Sequence, residues 1–215
     1  MVEVWGGWWF NGVSMRHVIL DVETIKTFDE VGGYKPELLG VSFVGVIERE
    51  GLPGVWGEKV TEKRHELFEK DLDKLFKLLE QVDLIVGFNL DGFDMPALKP
   101  YYRGNIAKLP TLDLLVRFKE ERNHRVSLDA IAGETLGSKK IGNGLDAIKY
   151  YANGELDKLA KYCMKDVEIT RDIYDYGRIK GMIKFKNKWN ELVEAKVDFS
   201  YQKPAEVAGL QMSLV

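Results

Sequence analysis

Hydrophobic residues along the chain form short runs typical of buried strands and longer amphipathic stretches typical of helices. The first run, Val18 to Leu20, leads into Asp21-Val22-Glu23-Thr24, so two acids stand two residues apart at the end of a predicted strand. Side chains at i and i+2 of a strand project from the same face. Asp21 and Glu23 are therefore predicted to share one small volume. Either a cation neutralises them or the strand end lies in water, and this segment alone leaves both possibilities open.

The rest of the chain predicts an α/β protein in which strands alternate with helices. Further strands are predicted at 39–47, 55–60 and 84–87, helices at 64–81, 127–137, 145–152 and 155–179, and a strand leading into a helix at 111–121. Strand 84–87 is expected to run parallel to the first strand, because a helix intervenes. Segment 182–199 alternates around Asn187-Lys188-Trp189-Asn190, which predicts a C-terminal β-hairpin. The remaining residues, 200–215, are predicted to form a tail.

Composition narrows the class of protein. The chain has 215 residues, 45% of them hydrophobic and 30% charged, as in ordinary globular proteins. A net charge of −3 weakens the case for a globally basic nucleic-acid binder but allows a local basic groove. Cys163 is the single cysteine, so no intrachain disulfide can form, and we expect a reducing, cytoplasmic location. No apolar run reaches the ~20 residues that a membrane span needs, so no membrane association is expected.

Residues 1–14 form a Trp-rich extension that contains Trp5, Trp8 and Trp9. The segment lacks a basic beginning and a small-residue cleavage site, so it is a poor signal peptide. Three interpretations stay open: upstream sequence before a true start at Met15, an extra edge strand, or a surface for a partner protein.

Two later segments carry candidate chemistry. In segment 87–96, Asp94 stands two residues before a proline, which favours a helix N-cap role at the start of a helix reaching about Arg103. On the long predicted helix, Tyr162 and Asp166 are four residues apart and therefore share one face. Taken alone, this pair also fits a tyrosine at the core boundary and an acid facing water.

Together, the motifs Asp21-x-Glu23, Asn89-x-x-x-Phe93-Asp94 and Tyr162-x-x-x-Asp166 resemble those of a known family. In order and spacing, the chain is similar to DEDD exonucleases of the ribonuclease H-like superfamily, in the tyrosine-type, DnaQ-like branch. The likeness extends to the exonuclease domain of family B DNA polymerases and to related stand-alone predicted exonucleases. It covers residues 18–176 and implies a ribonuclease H-like mixed central sheet flanked by helices. We expect this domain at 15–181, with the hairpin and tail at 182–215 packed on it or extending from it.

The resemblance also implies a catalytic site. Asp21, Glu23, Asp94 and Asp166 would bind two divalent cations, and Tyr162 would orient the attacking water. Oxygen ligands without histidine or cysteine favour Mg²⁺ or Mn²⁺ over zinc. The implied reaction is hydrolysis at the 3′ end of single-stranded or frayed nucleic acid, with DNA favoured, releasing nucleoside 5′-monophosphates.

Substrate contacts are predicted beside the acids and along a basic stretch. The candidates are Thr24, Asn89 and Phe93 next to the motifs, and Arg122, His124, Arg125, Lys139 and Lys140 farther along the chain. Phe93 also fits a core position. Two other functions remain open, a structure-specific nuclease or ribonuclease on the same fold, and a non-catalytic nucleic-acid-binding module. Single-stranded DNA or RNA 3′ ends are the expected partners, and a helicase or polymerase is a further candidate partner.

Overall fold

A five-stranded mixed sheet forms the centre of the computed structural model, which describes residues 15–55, 57–122, 125–138 and 144–201. The strand order is β3-β2-β1-β4-β5, with β1 antiparallel to β2 and parallel to β4, and β5 parallel to β4. The strands of this sheet are β1 (Arg16–Thr24), β2 (Val41–Glu50), β3 (Thr61–Phe68), β4 (Leu84–Gly87) and β5 (Thr111–Asp113). The predicted parallel pairing of the first strand with segment 84–87 is confirmed.

Helices cover both faces of the sheet. They are α1 (Leu72–Leu79), α2 (Asp94–Leu98), α3 (Leu114–Arg122), α4 (Leu128–Leu136), α5 (Gly144–Ala152) and α6 (Leu156–Lys180). The predicted start and stop of α4 are confirmed, since Ser127 Oγ accepts the Ala130 N–H and Gly137 ends the helix with a φ of 66°. The predicted hairpin is also present, as β6 (Met182–Lys186) paired antiparallel with β7 (Leu192–Lys196).

Two predictions around the third strand are wrong. Residues 55–60 were expected to form that strand and 64–81 a helix, whereas β3 occupies 61–68 and α1 begins only at Leu72. Most of β3 is polar and exposed because it is an edge strand, so it lacks the alternation that marks a half-buried strand. Its pairing with β2, from Glu50↔Thr61 to Phe43↔Phe68, holds residues 64–68 out of the helix.

The predicted cap role of Asp94 is also wrong. Asp94 is the first residue of α2, and Phe93 occupies the cap position without a side-chain capping bond. The Asp94 carboxylate instead accepts the Val22 N–H of β1 at 2.8 Å. The helix is shorter than expected as well, since it ends at Leu98 and passes into a 3₁₀ turn at Lys99–Tyr101.

Successive side chains of β1 point to opposite faces of the sheet and are buried in two separate cores. Val18, Leu20 and Val22 are buried with the helices of one face, and Ile19 is buried with α6 on the other. The same alternation continues through Asp21 and Glu23, which therefore point towards α6. The hairpin joins this second core and is tied to α4 by two hydrogen bonds between Thr135 and the Lys184 backbone. The division of the chain at 15–181 and 182–215 stays a prediction.

None of the helices in the described part of the chain combines the length and apolarity that crossing a membrane requires.

At the opposite end of β1 from the acids, His17 is completely buried. Its ring lies 5.8 Å from the Tyr174 ring, measured between centroids. Burial, reinforced by the Arg49 charge, lowers the pKa of His17 to about 4. The folded protein therefore keeps this imidazole neutral at pH values where an unfolded chain protonates it.

We expect His17 to make the protein acid-sensitive. Between pH 7 and pH 5 the unfolded chain binds a proton at His17 and the folded chain does not, so folding free energy is lost as pH falls. The loss is about 2 kcal/mol for a pKa that moves from 6.5 to about 4. Urea unfolding at both pH values should show this loss in the wild type and in His65→Gln, and a clearly smaller loss in His17→Gln. An equal loss in all three proteins would contradict the assignment.

Candidate functional site

Two acids and a thiol meet at the end of β1. Ligand atoms of Asp21, Glu23 and Cys163 all lie within 4.8 Å of one another. The Cys163 thiol on α6 is 3.4 Å from Asp21 Oδ2 and 3.5 Å from the Asp21 carbonyl oxygen. The structure thus brings Asp21 and Glu23 together on the α6 side, as alternation in a strand requires.

A glycine in β2 lets α6 approach the sheet closely. Gly45 lies opposite Asp21 in the β1–β2 register. A Cβ at this position would stand 2.9 Å from Val167 Cγ2 and 3.0 Å from Cys163 Sγ. Because no side chain intervenes, the helix turn from Tyr162 to Asp166 packs directly beside the end of β1.

A cavity of about 440 Å³ opens at this junction. It is lined by both β1 acids together with Tyr162 and Asp166 of α6. Tyr162 and Asp166 therefore share a face of α6, and that face looks onto the acids of β1 rather than into bulk water. The remaining wall is mostly apolar and includes Phe28, Phe93, Leu145 and Ile148, and Lys26 and Thr24 also line the cavity. We refer to this space as the acid cavity.

A second cavity, of about 470 Å³, lies on the other side of the same acids. Asp21 and Asp166 line it too, with Asn89, Arg125 and Ser127 among its other residues. Asn89 has a φ of 63°, a left-handed conformation that asparagine tolerates better than most residues. We refer to this space as the Asn89 cavity. The carboxylates of Asp21 and Asp166 thus lie between the mostly apolar acid cavity and the more polar Asn89 cavity.

Asp94 approaches the cluster from α2 and is only 2% exposed. Its bond from the Val22 N–H fixes it beside the peptide between Asp21 and Glu23. Burial, followed by the charge of Asp21, raises the pKa of Asp94 well above its ordinary value. Asp94 and Asp21 therefore repel each other when both are ionised.

Asp113, at the end of β5, is a site residue that sequence reasoning missed. Its carboxylate accepts the N–H groups of Asn89, Asp91 and Leu115 at 2.9 to 3.1 Å. These bonds fix the turn that leads from β4 towards Phe93 and Asp94. The available signal was its position, since an acid at the carboxyl end of a third parallel strand lies at the same sheet edge as the motifs.

The predicted substrate contacts are divided between the two cavities. Thr24 and Phe93 line the acid cavity, so Phe93 is not simply a core residue. Asn89 and Arg125 line the Asn89 cavity. His124, Lys139, Lys140 and the side chain of Arg122 lie outside the described residues, as does most of the predicted basic loop. Lys26, Phe28, Leu145 and Ile148 line the acid cavity but were not predicted.

The donor set fits a hard divalent cation. Burial and the charges of Asp21 and Glu23 raise the pKa of the Cys163 thiol well above its ordinary value, which makes the thiol a weaker candidate ligand than the carboxylates. The groups left to neutralise a cation are carboxylates, whose oxygens are the ligands that Mg²⁺ and Mn²⁺ prefer. A cation would also relieve the repulsion between Asp21 and Asp94.

Comparison with known proteins places the chain in a family. The sequence profile of the RNase H superfamily matches residues 20–177, well over half of the chain. The chain therefore belongs to the RNase H superfamily, and the predicted ribonuclease H-like fold is confirmed. No curated protein sequence matches the chain significantly.

Among solved structures, the chain is similar to the family B DNA polymerase from the hyperthermophilic archaeon Pyrobaculum calidifontis, with a TM-score of 0.54 at 17% sequence identity. The match covers 76% of this chain and 24% of the polymerase chain, so this chain corresponds to about a quarter of that protein. At this level of identity the likeness shows a shared fold.

We expect Asp94→Asn to stabilise the protein when divalent cations are chelated. A raised folded-state pKa means that Asp94 contributes stability at low pH that is lost as pH rises through that pKa. Asparagine keeps an acceptor for the Val22 N–H and carries no charge. Urea unfolding with chelator at pH 7 should therefore give a higher unfolding free energy for Asp94→Asn than for wild type. Asp91→Asn, in the preceding turn, is the matched control and should show a smaller gain, because Asp91 is exposed and adds less than burial does to the raised pKa of Asp113. A clear loss of stability in Asp94→Asn would contradict the electrostatic account.

Proposed function

We propose that the protein is a metal-dependent 3′–5′ exonuclease of the tyrosine-type DEDD class, which removes nucleotides from the 3′ end of single-stranded or frayed nucleic acid. One observation carries the proposal: a single cavity is lined by Asp21 and Glu23 of β1 and by Tyr162 and Asp166 of α6, and Asp94 adjoins it. Membership of the RNase H superfamily supports a nuclease function in general.

The form of the cavities favours cleavage at a strand end. About 440 Å³ lies within the range of small-ligand pockets, roughly 300–1,000 Å³, and so suits one terminal nucleotide better than a duplex. Its aromatic and aliphatic walls suit a base, because bases stack on aromatic side chains. The Asn89 cavity, with Arg125 and Ser127, would receive the preceding part of the strand.

Each proposed catalytic residue has a distinct task. Asp21, Glu23, Asp94 and Asp166 would hold two divalent cations, which supply charge stabilisation at the scissile phosphate and activate water. Tyr162 would orient the attacking water through a hydrogen bond with its hydroxyl. A free tyrosine titrates near pH ~10, so at neutral pH the phenol serves to position water rather than to act as a full base.

The remaining predictions on substrates and surroundings belong to the same proposal. Thr24, Asn89 and Phe93 would contact the terminal nucleotides, and Lys139 and Lys140 would contact the phosphate backbone. DNA is the favoured substrate. A polymerase or helicase partner and a cytoplasmic location stay predictions.

A ladder assay tests the proposed function. Strands of 5′-labelled DNA and RNA, with free or blocked 3′ ends, are incubated with Mg²⁺, Mn²⁺ or chelator. We expect stepwise shortening from free 3′ ends with either cation and none with chelator. Asp94→Asn should lose about 100-fold or more of the rate, as expected when charge stabilisation of the transition state is removed, while Asp91→Asn stays near wild type.

Other outcomes of the assay separate the alternatives. Cleavage of strands with blocked 3′ ends would indicate an endonuclease, and shortening of RNA alone would indicate a ribonuclease. Binding without cleavage under every condition would indicate a non-catalytic nucleic-acid-binding module. The endonuclease and binding-module results would contradict the proposed activity, and the result with RNA alone would contradict the preference for DNA.

A further inference from the structure

The loop at 25–40 forms part of the wall of the acid cavity. Two backbone bonds close its base, Ile25 N–H to the Gly40 carbonyl and Lys26 N–H to the Leu39 carbonyl, at 3.1 and 3.0 Å. Lys26, Thr27, Phe28 and Leu39 line the acid cavity. None of residues 25–40 was among the predicted site residues.

Within this loop, the chain reverses so that two aromatic rings stack. Gly32 and Gly33 have φ values of 72° and 123°, which glycine adopts readily. The reversal is closed by the Gly33 N–H, which donates to the Phe28 carbonyl at 2.9 Å. Tyr34 then stacks on Phe28 with centroids 4.7 Å apart and planes inclined by 26°.

Tyr34 also bonds to a different part of the site. Its hydroxyl donates to the Gly92 carbonyl at 2.7 Å, across 58 residues of sequence. Gly92 directly precedes Phe93 and Asp94, and the Phe93 ring meets the Phe28 ring edge-on at 6.0 Å. Phe28 and Phe93 form the aromatic wall of the acid cavity. Tyr34 therefore stacks on one half of that wall, Phe28, and bonds to Gly92, the residue that precedes the other half, Phe93.

We propose that Tyr34 is a positioning residue that fixes the spacing of the Phe28–Phe93 wall for the terminal base of the substrate. The inference rests on the proposed function, because it assigns the acid cavity to a terminal nucleotide. Tyr34 does not line the cavity, so it would act on the substrate only by holding Phe28 and Phe93 in place.

The exposure of Tyr34 separates this role from a purely structural one. Tyr34 is 58% exposed and Gly92 is only half-buried, so water can reach the Gly92 carbonyl when the hydroxyl is lost, and stability should hardly change. The effect should instead appear in binding. Loss of one ordinary hydrogen bond at the wall corresponds to about a threefold to tenfold weaker hold on the terminal base.

The test compares Tyr34→Phe with Tyr102→Phe. Tyr102 is a matched control, because its hydroxyl donates an exposed bond to Glu80 Oε1 at 2.9 Å, in a region that contributes nothing to the acid cavity. Two short 5′-fluorescein single-stranded DNAs are used, one with an ordinary 3′ nucleotide and one with an abasic 3′ nucleotide. Kd is measured by anisotropy with Ca²⁺ in place of Mg²⁺, KM and kcat are measured with Mg²⁺, and amide exchange is followed without DNA.

We expect Tyr34→Phe to raise Kd and KM for the ordinary strand about threefold to tenfold, with kcat within about twofold and the melting temperature within about 2 °C of wild type. For the abasic strand, the Kd of Tyr34→Phe should equal that of wild type, since this strand has no terminal base for the wall to hold. Amide exchange at residues 25–40 and 88–95 should become faster in Tyr34→Phe. Tyr102→Phe should match wild type in all of these measurements.

Equal weakening on both strands, an unchanged Kd, a fall in kcat alone or unchanged amide exchange would each overturn the role of Tyr34. Failure of the proposed function looks different. If the wild type binds the ordinary strand without shortening it, the proposed exonuclease activity is rejected. The ratio of the Kd of Tyr34→Phe to that of wild type on the two strands then still tests the role of Tyr34. A wild type that does not bind either strand would reject both proposals.

Discussion

The site depends on one unfavourable interaction that the fold imposes, the gathering of carboxylates at the end of β1. Asp21 and Glu23 are neighbours by strand geometry, and Asp94 is fixed beside them by a bond from Val22. Like charges at such distances resist ionisation, and burial together with the charge of Asp21 raises the pKa of Asp94. Packing elsewhere in the molecule holds them together, so the site is preorganised for positive charge.

The packing that holds this cluster is centred on α6. Gly45 allows the helix to lie directly on the sheet next to Asp21, and farther along α6 a partly buried ion pair helps to fix its position. Arg49 of β2, 4% exposed, binds both carboxylate oxygens of Asp175 at 2.6 and 3.0 Å. Two such contacts on one rigid helix determine where Tyr162 and Asp166 lie, because neither residue can move without the whole helix.

Features that depend on local periodicity were predictable from the sequence. The strand with Asp21 and Glu23, the long helix with Tyr162 and Asp166, and the ends of α4 all follow from spacing and capping rules. The edge strand β3 was not predictable in this way, because its side chains face water and carry no hydrophobic alternation. Local capping logic also failed for Asp94, since a tertiary bond from Val22 competes for its carboxylate.

Residues that act through long-range contacts with the backbone were the hardest to recognise from the sequence. Asp113 binds N–H groups more than twenty positions away, and Tyr34 reaches Gly92 across 58 positions. Neither partner is recognisable from residue type, because any residue supplies a backbone amide or carbonyl. Such contacts nevertheless fix the turns and walls around the motifs, so the motifs indicate where the candidate site lies and the tertiary contacts shape it.

Calorimetric titration with Mn²⁺ tests the central claim most directly, because it measures cation binding without nucleic acid or turnover. The account predicts that the wild type binds two Mn²⁺ ions per chain and that Asp21→Asn, which removes a charge from the centre of the cluster, loses this binding. A wild type that binds no Mn²⁺, or an Asp21→Asn variant that binds it as tightly as wild type, would contradict the account.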